Sequence, residues 1–160
     1  NNVVDHAYEE DDAHQEWLIF LGIDNEKCCV VISDLGQTIP VSVPRNITDQ
    51  GKAVLEQLFN LEFNDWGKID DANRIQLASH FRKSATELKH RGKGFANMME
   101  VCKQVPDSEL YVYSRNGLWR MKRGQKDYKK TYKSPINGTI IYWDIPLNQS
   151  LIGQSSSVNA

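Results

Sequence analysis

The chain has 160 residues and a mass of 18.3 kDa, the size of one ordinary domain with a substantial hydrophobic core. Hydrophobic residues make up 40% and charged residues 25%, close to globular averages, which excludes wholesale disorder. The sequence has no apolar run approaching about 18 residues and no basic-then-apolar leader, so we expect a cytoplasmic protein without a membrane partner. The three cysteines include no Cys-x-x-Cys pair and predict reduced thiols.

The two halves of the chain carry opposite charge. Residues 1–70 contain fourteen acidic and four basic residues, whereas residues 71–160 contain seven acidic and fifteen basic ones. A basic half favours an anionic ligand, such as a phosphate, a nucleic acid or an acidic protein surface. Neutralisation of one half by the other across the fold would explain the pattern equally well.

The first predicted elements are the end of a helix and a β-hairpin. Residues 1–8 have the apolar spacing of the last turns of a helix, whose first half we expect to precede the chain. Two apolar, β-branched runs at 16–23 and 27–33 are separated by three polar residues, which predicts a hairpin of buried strands. Segment 34–44 is predicted to be a turn and an extended loop, because its prolines disfavour a helix.

The middle of the chain has helical periodicity, and its end alternates as strands do. Apolar spacing predicts helices at 48–59, 70–81 and 95–103. Alternation predicts strands at 109–114, 117–121 and 138–145. A mobile basic segment at 82–93, a basic loop at 122–133 and a frayed tail at 148–160 complete the prediction. The predicted fold is an α/β (α+β) two-layer sandwich, a mixed, mainly antiparallel sheet with helices on one face.

Three short motifs could carry chemistry. Asp34 and Gly36 follow a strand, where a carboxylate can accept a hydrogen bond from an exocyclic amine and glycine lets the backbone approach a flat base. The run 91–94 (Arg-Gly-Lys-Gly) opens a helix, whose N-terminal N–H groups and dipole favour an anion. The hydroxyl of Thr139, at the start of the last strand, could bond to a base or to Asp34. An ordinary turn, a flexible start of a helix and simple β propensity remain the respective alternatives.

The order of these motifs resembles the ATP-binding domain of the histidine kinase-like (GHKL) ATPases, which include gyrase-type topoisomerases, sensor histidine kinases and mismatch-repair ATPases. Residues 2–7 (NVVDHA) are similar to the second half of the family's asparagine helix, and 34–40 to its adenine-binding turn. Residues 91–99 are similar to the glycine motif that follows the ATP lid, and 138–139 to the closing Gly-Thr strand. The resemblance covers about residues 1–147, and it is closest to stand-alone bacterial proteins of the histidine-kinase and anti-sigma serine-kinase branch.

The resemblance implies a Bergerat-type fold that binds ATP and Mg²⁺. Asn2 would ligate the metal, Asp34 would accept a hydrogen bond from the adenine amine with Thr139 in support, and the glycine motif would hold the phosphates. The implied nucleotide-binding residues are Asn2, His6, Asp34, Gly36, Ile39, Arg91, Gly92, Lys93, Gly94, Phe95 and Thr139. A regulatory protein partner is also expected.

Two departures from the family pattern limit this interpretation. Thr38 stands where the adenine turn usually has its second glycine. The glutamate that the family uses for catalysis falls one helical turn before Asn2, so no catalytic residue is predicted in this chain, and ATPase or protein kinase activity would depend on that upstream residue. Two alternatives stay open: a non-catalytic, nucleotide-sensing interaction module, and a nucleic-acid-binding domain that uses the 115–133 segment with its eight basic residues.

Overall fold

One antiparallel sheet organises the structure. The computed structural model describes residues 16–24, 26–45, 47, 49–80 and 94–147. The strands are β1 (Trp17–Ile23), β2 (Lys27–Asp34), β3 (Glu109–Ser114), β4 (Gly117–Lys122), β5 (Tyr128–Thr131) and β6 (Thr139–Pro146). They lie in the order β1-β2-β6-β3-β4-β5, and all the pairings between these neighbours are antiparallel.

Helices fill the long connection between β2 and β3. They are α1 (Ile39–Arg45), α2 (Asp49–Phe59), a 3₁₀ helix (Phe63–Lys68), α3 (Asp71–His80) and α4 (Gly94–Gln104). The part of the chain that the structure describes is therefore an α+β fold, compatible with the predicted two-layer sandwich. Among its helices, none has the length and apolar character needed to cross a membrane.

The two faces of the sheet differ in what packs against them. Successive side chains of a strand point to opposite faces, and along β3 the buried residues Leu110, Val112 and Ser114 alternate with the half-buried Tyr111 and Tyr113. The face that carries Leu110 and Val112 lies against α3 and α4 and is called the covered face. The face that carries the two tyrosines is called the open face.

Two hydrophobic clusters hold the helices in place. The cluster between the covered face and helices α3 and α4 consists of Ile75, Cys102, Leu110, Val112 and Trp119. A second cluster joins α1, α2 and α3 through Val43, Leu55, Ile69 and Leu77. Burying such a side chain contributes about 1.5–3 kcal/mol, so these clusters fix the helical layer on the sheet.

Most predicted elements are confirmed within one or two residues. They comprise five of the strands and the helices predicted at 48–59, 70–81 and 95–103. The expectation that the first hairpin consists of buried strands was wrong for β1, where six of the seven residues are exposed. The predicted helix at 1–8, the basic segment at 82–93 and the tail at 148–160 lie outside the described residues. The prediction of a mixed sheet was wrong for the described strands, which pair only in antiparallel fashion.

The extended loop predicted after β2 was also wrong, because residues Ile39–Arg45 form helix α1. The carbonyl of Thr38 accepts hydrogen bonds from the N–H groups of Val41 and Ser42, each at 3.0 Å, and so starts the helix. Pro40 lies in the first turn, where the missing proline N–H costs no helical hydrogen bond.

The basic loop predicted at 122–133 contains strand β5. Its residues pair with β4 from Arg120 opposite Tyr128 to Gly117 opposite Thr131. All four residues of β5 are exposed, which is why the sequence lacks the apolar alternation that reveals a half-buried strand.

Candidate functional site

Three buried polar side chains form a row across the sheet where β2 ends. Asp34 on β2 is the direct partner of Thr139 on β6, and Thr139 is the direct partner of Ser114 on β3. Directly opposite residues of antiparallel strands point to the same face, so all three lie on the covered face. Their exposed fractions are 9%, 5% and 0%. Buried polar groups need hydrogen-bond partners, and the partners of this row show what it can bind.

The carboxylate of Asp34 is held by backbone donors. The N–H of Gly36 donates to Oδ1 of Asp34 at 3.0 Å, and the backbone N–H of Thr139 also donates to the carboxylate. Burial raises the pKa of Asp34, while these two N–H groups act in the opposite direction. A carboxylate has about four acceptor positions, so Asp34 retains room for a further hydrogen bond from a ligand.

Gly138 brings the start of β6 close to the end of β2. Its φ is +73°, a left-handed conformation that favours glycine. A Cβ at this position would lie 1.9 Å from the backbone carbonyl oxygen of Asp34. The absence of a side chain therefore lets Thr139 reach the Asp34 carboxylate.

Ser114 connects the row to helix α1. Its Oγ donates to the carbonyl of Gly138 at 3.2 Å and accepts the N–H of Ile39 at 3.0 Å. The hydroxyls of Ser114 and Thr139 are 3.0 Å apart. Because the single proton of Ser114 goes to Gly138, Thr139 donates to Ser114 and keeps its oxygen lone pairs as acceptors. The row thus offers acceptors from Asp34 and Thr139, a combination suited to a ligand with N–H donors.

The structure brings together part of the predicted nucleotide site. Asp34, Gly36 and Thr139 are in direct contact, and Ile39 joins them through Ser114. The hydroxyl of Thr139 bonds to Ser114, whereas its backbone N–H is the group that meets Asp34.

The predicted phosphate side begins on a different part of the covered face. Gly94 starts α4, and the Phe95 ring packs against the ring of Trp119 on β4 with centroids 5.8 Å apart. Strand β4 lies three positions from β2 in the sheet, about 14 Å at the usual strand spacing. The remaining predicted residues, which are Asn2, His6, Arg91, Gly92 and Lys93, lie outside the described part of the chain.

Ser114 is the residue of this site that sequence reasoning missed. The alternation of 109–114 already puts Ser114 on the same face as Leu110 and Val112. A hydroxyl at the end of a strand on its apolar face was therefore the available signal.

Thr38, the departure from the adenine turn, is accommodated without strain. It is not among the residues with positive φ, so its Cβ causes no backbone conflict of the kind that would require glycine. Its Oγ1 is buried and finds no hydrogen-bond partner in the part of the chain that the structure describes, while its carbonyl starts helix α1. The hydroxyl is therefore an unsatisfied polar group beside the Asp34 turn.

The described residues contain no group of three or more His, Cys, Asp or Glu side chains that could hold a metal ion. Comparison of the sequence with models of known protein families found no match, and no curated protein matched it at a significant level. Function is therefore inferred from the geometry of the row and from the order of the motifs.

Proposed function

We propose that the chain is an ATP-binding domain of the histidine kinase-like type, in which Asp34 recognises the adenine amine. The observation that carries this proposal is the buried Asp34 carboxylate, which within the described ranges is held by the backbone N–H groups of Gly36 and Thr139 and lies beside the hydroxyl oxygen of Thr139. An exocyclic amine supplies the donors that such a pair of acceptors lacks.

Desolvation makes the site selective. Burial penalises the ionised form of Asp34, as its raised pKa indicates, and a donor from the ligand would offset that penalty. A base with a carbonyl in place of the amine would set two acceptors against each other. Adenine should therefore bind in preference to hypoxanthine, which has the same shape.

The phosphates and Mg²⁺ complete the proposal through the sequence resemblance. Asn2 would ligate the metal, which neutralises phosphate charge when bound. Backbone N–H groups of residues 91–94, the run that ends at the first residue of α4, would hold the phosphate oxygens. We assign binding and not turnover to these residues, because the resemblance puts the family's catalytic glutamate before Asn2.

Calorimetric titration with Mg-ATP and with inosine triphosphate, which carries a carbonyl in place of the amine, tests the role of Asp34. Asp34→Asn should weaken ATP binding more than tenfold, because a charge-assisted hydrogen bond contributes about 1.5–3 kcal/mol. The same variant should also narrow the difference in affinity between the two nucleotides. Asp144→Asn is the matched control, since it removes the same charge from β6 on the open face.

Two results would contradict the proposal. The first is equal affinity of the unmodified chain for ATP and inosine triphosphate. The second is an equal loss of ATP affinity in Asp34→Asn and Asp144→Asn, which would indicate a general effect of charge. Circular dichroism spectra of both variants establish that each retains the fold.

A further inference from the structure

The open face of the sheet carries an aromatic groove. It has a volume of about 390 Å³ and is lined by Tyr111, Tyr113, Leu118, Tyr132, Ile140 and Tyr142. The rings of Tyr113 and Tyr132 meet edge to face with centroids 5.2 Å apart, as do those of Tyr111 and Tyr142 at 5.5 Å. All six residues lie on β3, β4 or β6 or directly after β5, on the face opposite Asp34, and none belongs to a described helix.

Strand β5 continues this aromatic surface to the edge of the sheet. Tyr128 and Lys130 point to the open face, and Tyr132 follows with its ring in the groove. The Lys130 ammonium lies 4.7 Å from the centroid of the Tyr132 ring, and the Arg120 guanidinium lies 5.8 Å from that of Tyr128. Tyr128 is 47% exposed. Aromatic rings and cations thus alternate along one edge.

The positive charge at this edge is largely uncompensated. The exposed cations Arg123, Lys126, Lys130 and Lys133 form no ion pair with any residue in the described ranges. Asp127 is the one acidic residue in the 115–133 segment, and its carboxylate already accepts hydrogen bonds from the side chains of Trp119 and Gln76. An anionic partner would therefore be attracted here.

We propose that the β4–β5 hairpin and the adjoining groove bind single-stranded nucleic acid. Tyrosine rings stack on unpaired bases, and nearby cations contact the phosphates. A duplex would hide the faces of its bases from Tyr128 and Tyr132. A second copy of the chain docked through the same edge would bring like charges together. This surface lies on the opposite face from Asp34, so it does not depend on the nucleotide site.

Fluorescence anisotropy with a labelled oligothymidylate of about 12 nucleotides tests the proposal across a range of salt concentrations. Contact of three or four cations with phosphates predicts a slope of log K against log salt of about −2 to −3. Arg123→Gln/Lys130→Gln should weaken binding and reduce the size of that slope by about 1.4. The control is the double variant Lys52→Gln/Lys103→Gln, which makes the same change in net charge on α2 and α4. It should leave the affinity and the salt slope unchanged.

Tyr128→Ala tests stacking separately. Because the Tyr128 side chain is exposed, this variant removes little core packing. It should weaken binding at least about fivefold, while Tyr128→Phe, which keeps the ring, should not. An equal effect of the two double variants would overturn the proposal. So would duplex DNA or oligoaspartate binding as tightly as the single strand, because charge alone would then explain the interaction.

Discussion

Two carboxylates on opposite faces of the same sheet, Asp34 and Glu109, have pKa values that are shifted in opposite directions. Asp34, on the covered face, is bonded by backbone N–H groups, and burial raises its pKa. Glu109 lies on the open face, and burial would raise its pKa as well. However, hydrogen bonds from the Tyr111 hydroxyl and the Lys122 ammonium hold the pKa of Glu109 below its usual value.

The difference lies in whether the protein supplies its own cation. Glu109 has Lys122 at 2.9 Å and Arg120 at 3.6 Å, so its charge is compensated within the fold. No ion pair with a described residue is found for Asp34. The charge of Glu109 is therefore stabilised by neighbouring cations of the fold. Asp34 has a shifted pKa without such a cation among the described residues, as is common for carboxylates in binding sites.

The largest loss of stability is expected at Gly138, where the backbones of β2 and β6 approach each other closely. Gly138→Ala should lower the free energy of unfolding by more than about 3 kcal/mol, because it combines a left-handed φ with a Cβ 1.9 Å from the Asp34 carbonyl. Gly124→Ala, at φ +70° with no atom within 4 Å of its Cβ, should cost only about 1–2 kcal/mol. Urea denaturation measures both. Equal losses of unfolding free energy in the two variants would mean that the close approach of Gly138 to Asp34 adds nothing to the cost of its left-handed φ.

A smaller effect is expected at Ser114, the hydroxyl that ties the row to α1. Ser114→Ala should cost about 2 kcal/mol, because the buried N–H of Ile39 and the Thr139 hydroxyl would lose their partner. Ser108→Ala is the control, an equally buried serine whose Oγ donates to the Val105 carbonyl, and about 1 kcal/mol is expected there. Thermal and urea unfolding of the two variants should rank them in this order. The reverse order would show that Ser114 is not the link.

The parts of the fold that the sequence predicted are those with regular apolar spacing. Strand β2 is a continuous apolar run, β3 alternates and helix α3 has a helical apolar spacing, so the bounds of all three could be predicted closely. Helix α1 was not predicted, because its two prolines favour a loop and because the N–H of Ile39 at its start bonds to Ser114, which is distant in sequence. Strand β5 was not predicted either, since β4 is its one partner among the described strands and its side chains are all exposed.

The candidate site divides in the same way. Asp34 and Gly36 are two residues apart, so a local motif was enough to single out both residues, whose hydrogen bond the structure then shows. The register that places Thr139 opposite both Asp34 and Ser114 is a property of the assembled sheet, although a bond between Thr139 and Asp34 was one of the alternatives that the motifs suggested. The orphaned hydroxyl of Thr38 depends on packing and left no sequence signal.

A further prediction uses that orphaned hydroxyl. Thr38→Val replaces the buried Oγ1 by a methyl group of similar size, so the free energy of unfolding should rise by about 1 kcal/mol. Thr139→Val is the comparison, because its hydroxyl is bonded to Ser114 and its loss should lower stability by a similar amount. Thermal unfolding distinguishes the two signs. A loss of stability in both variants would mean that Thr38 has a partner after all.

The smallest effect is the pH dependence of stability, and the two carboxylates should differ in its sign. Above its ordinary value of 3.8, the raised pKa of Asp34 lets the folded state keep a proton that the unfolded state has lost. Its contribution to the free energy of unfolding therefore falls as the pH rises through this window.

Glu109 has a lowered pKa, so its stabilising contribution is present above the ordinary value of 4.5 and is lost as the pH falls through the folded-state pKa. Urea unfolding at a series of pH values should give a difference between the unmodified chain and Asp34→Asn that declines with rising pH, and a difference for Glu109→Gln that increases. Two differences with the same slope would contradict the distinction, because the covered-face acid would then be as fully compensated as the open-face acid.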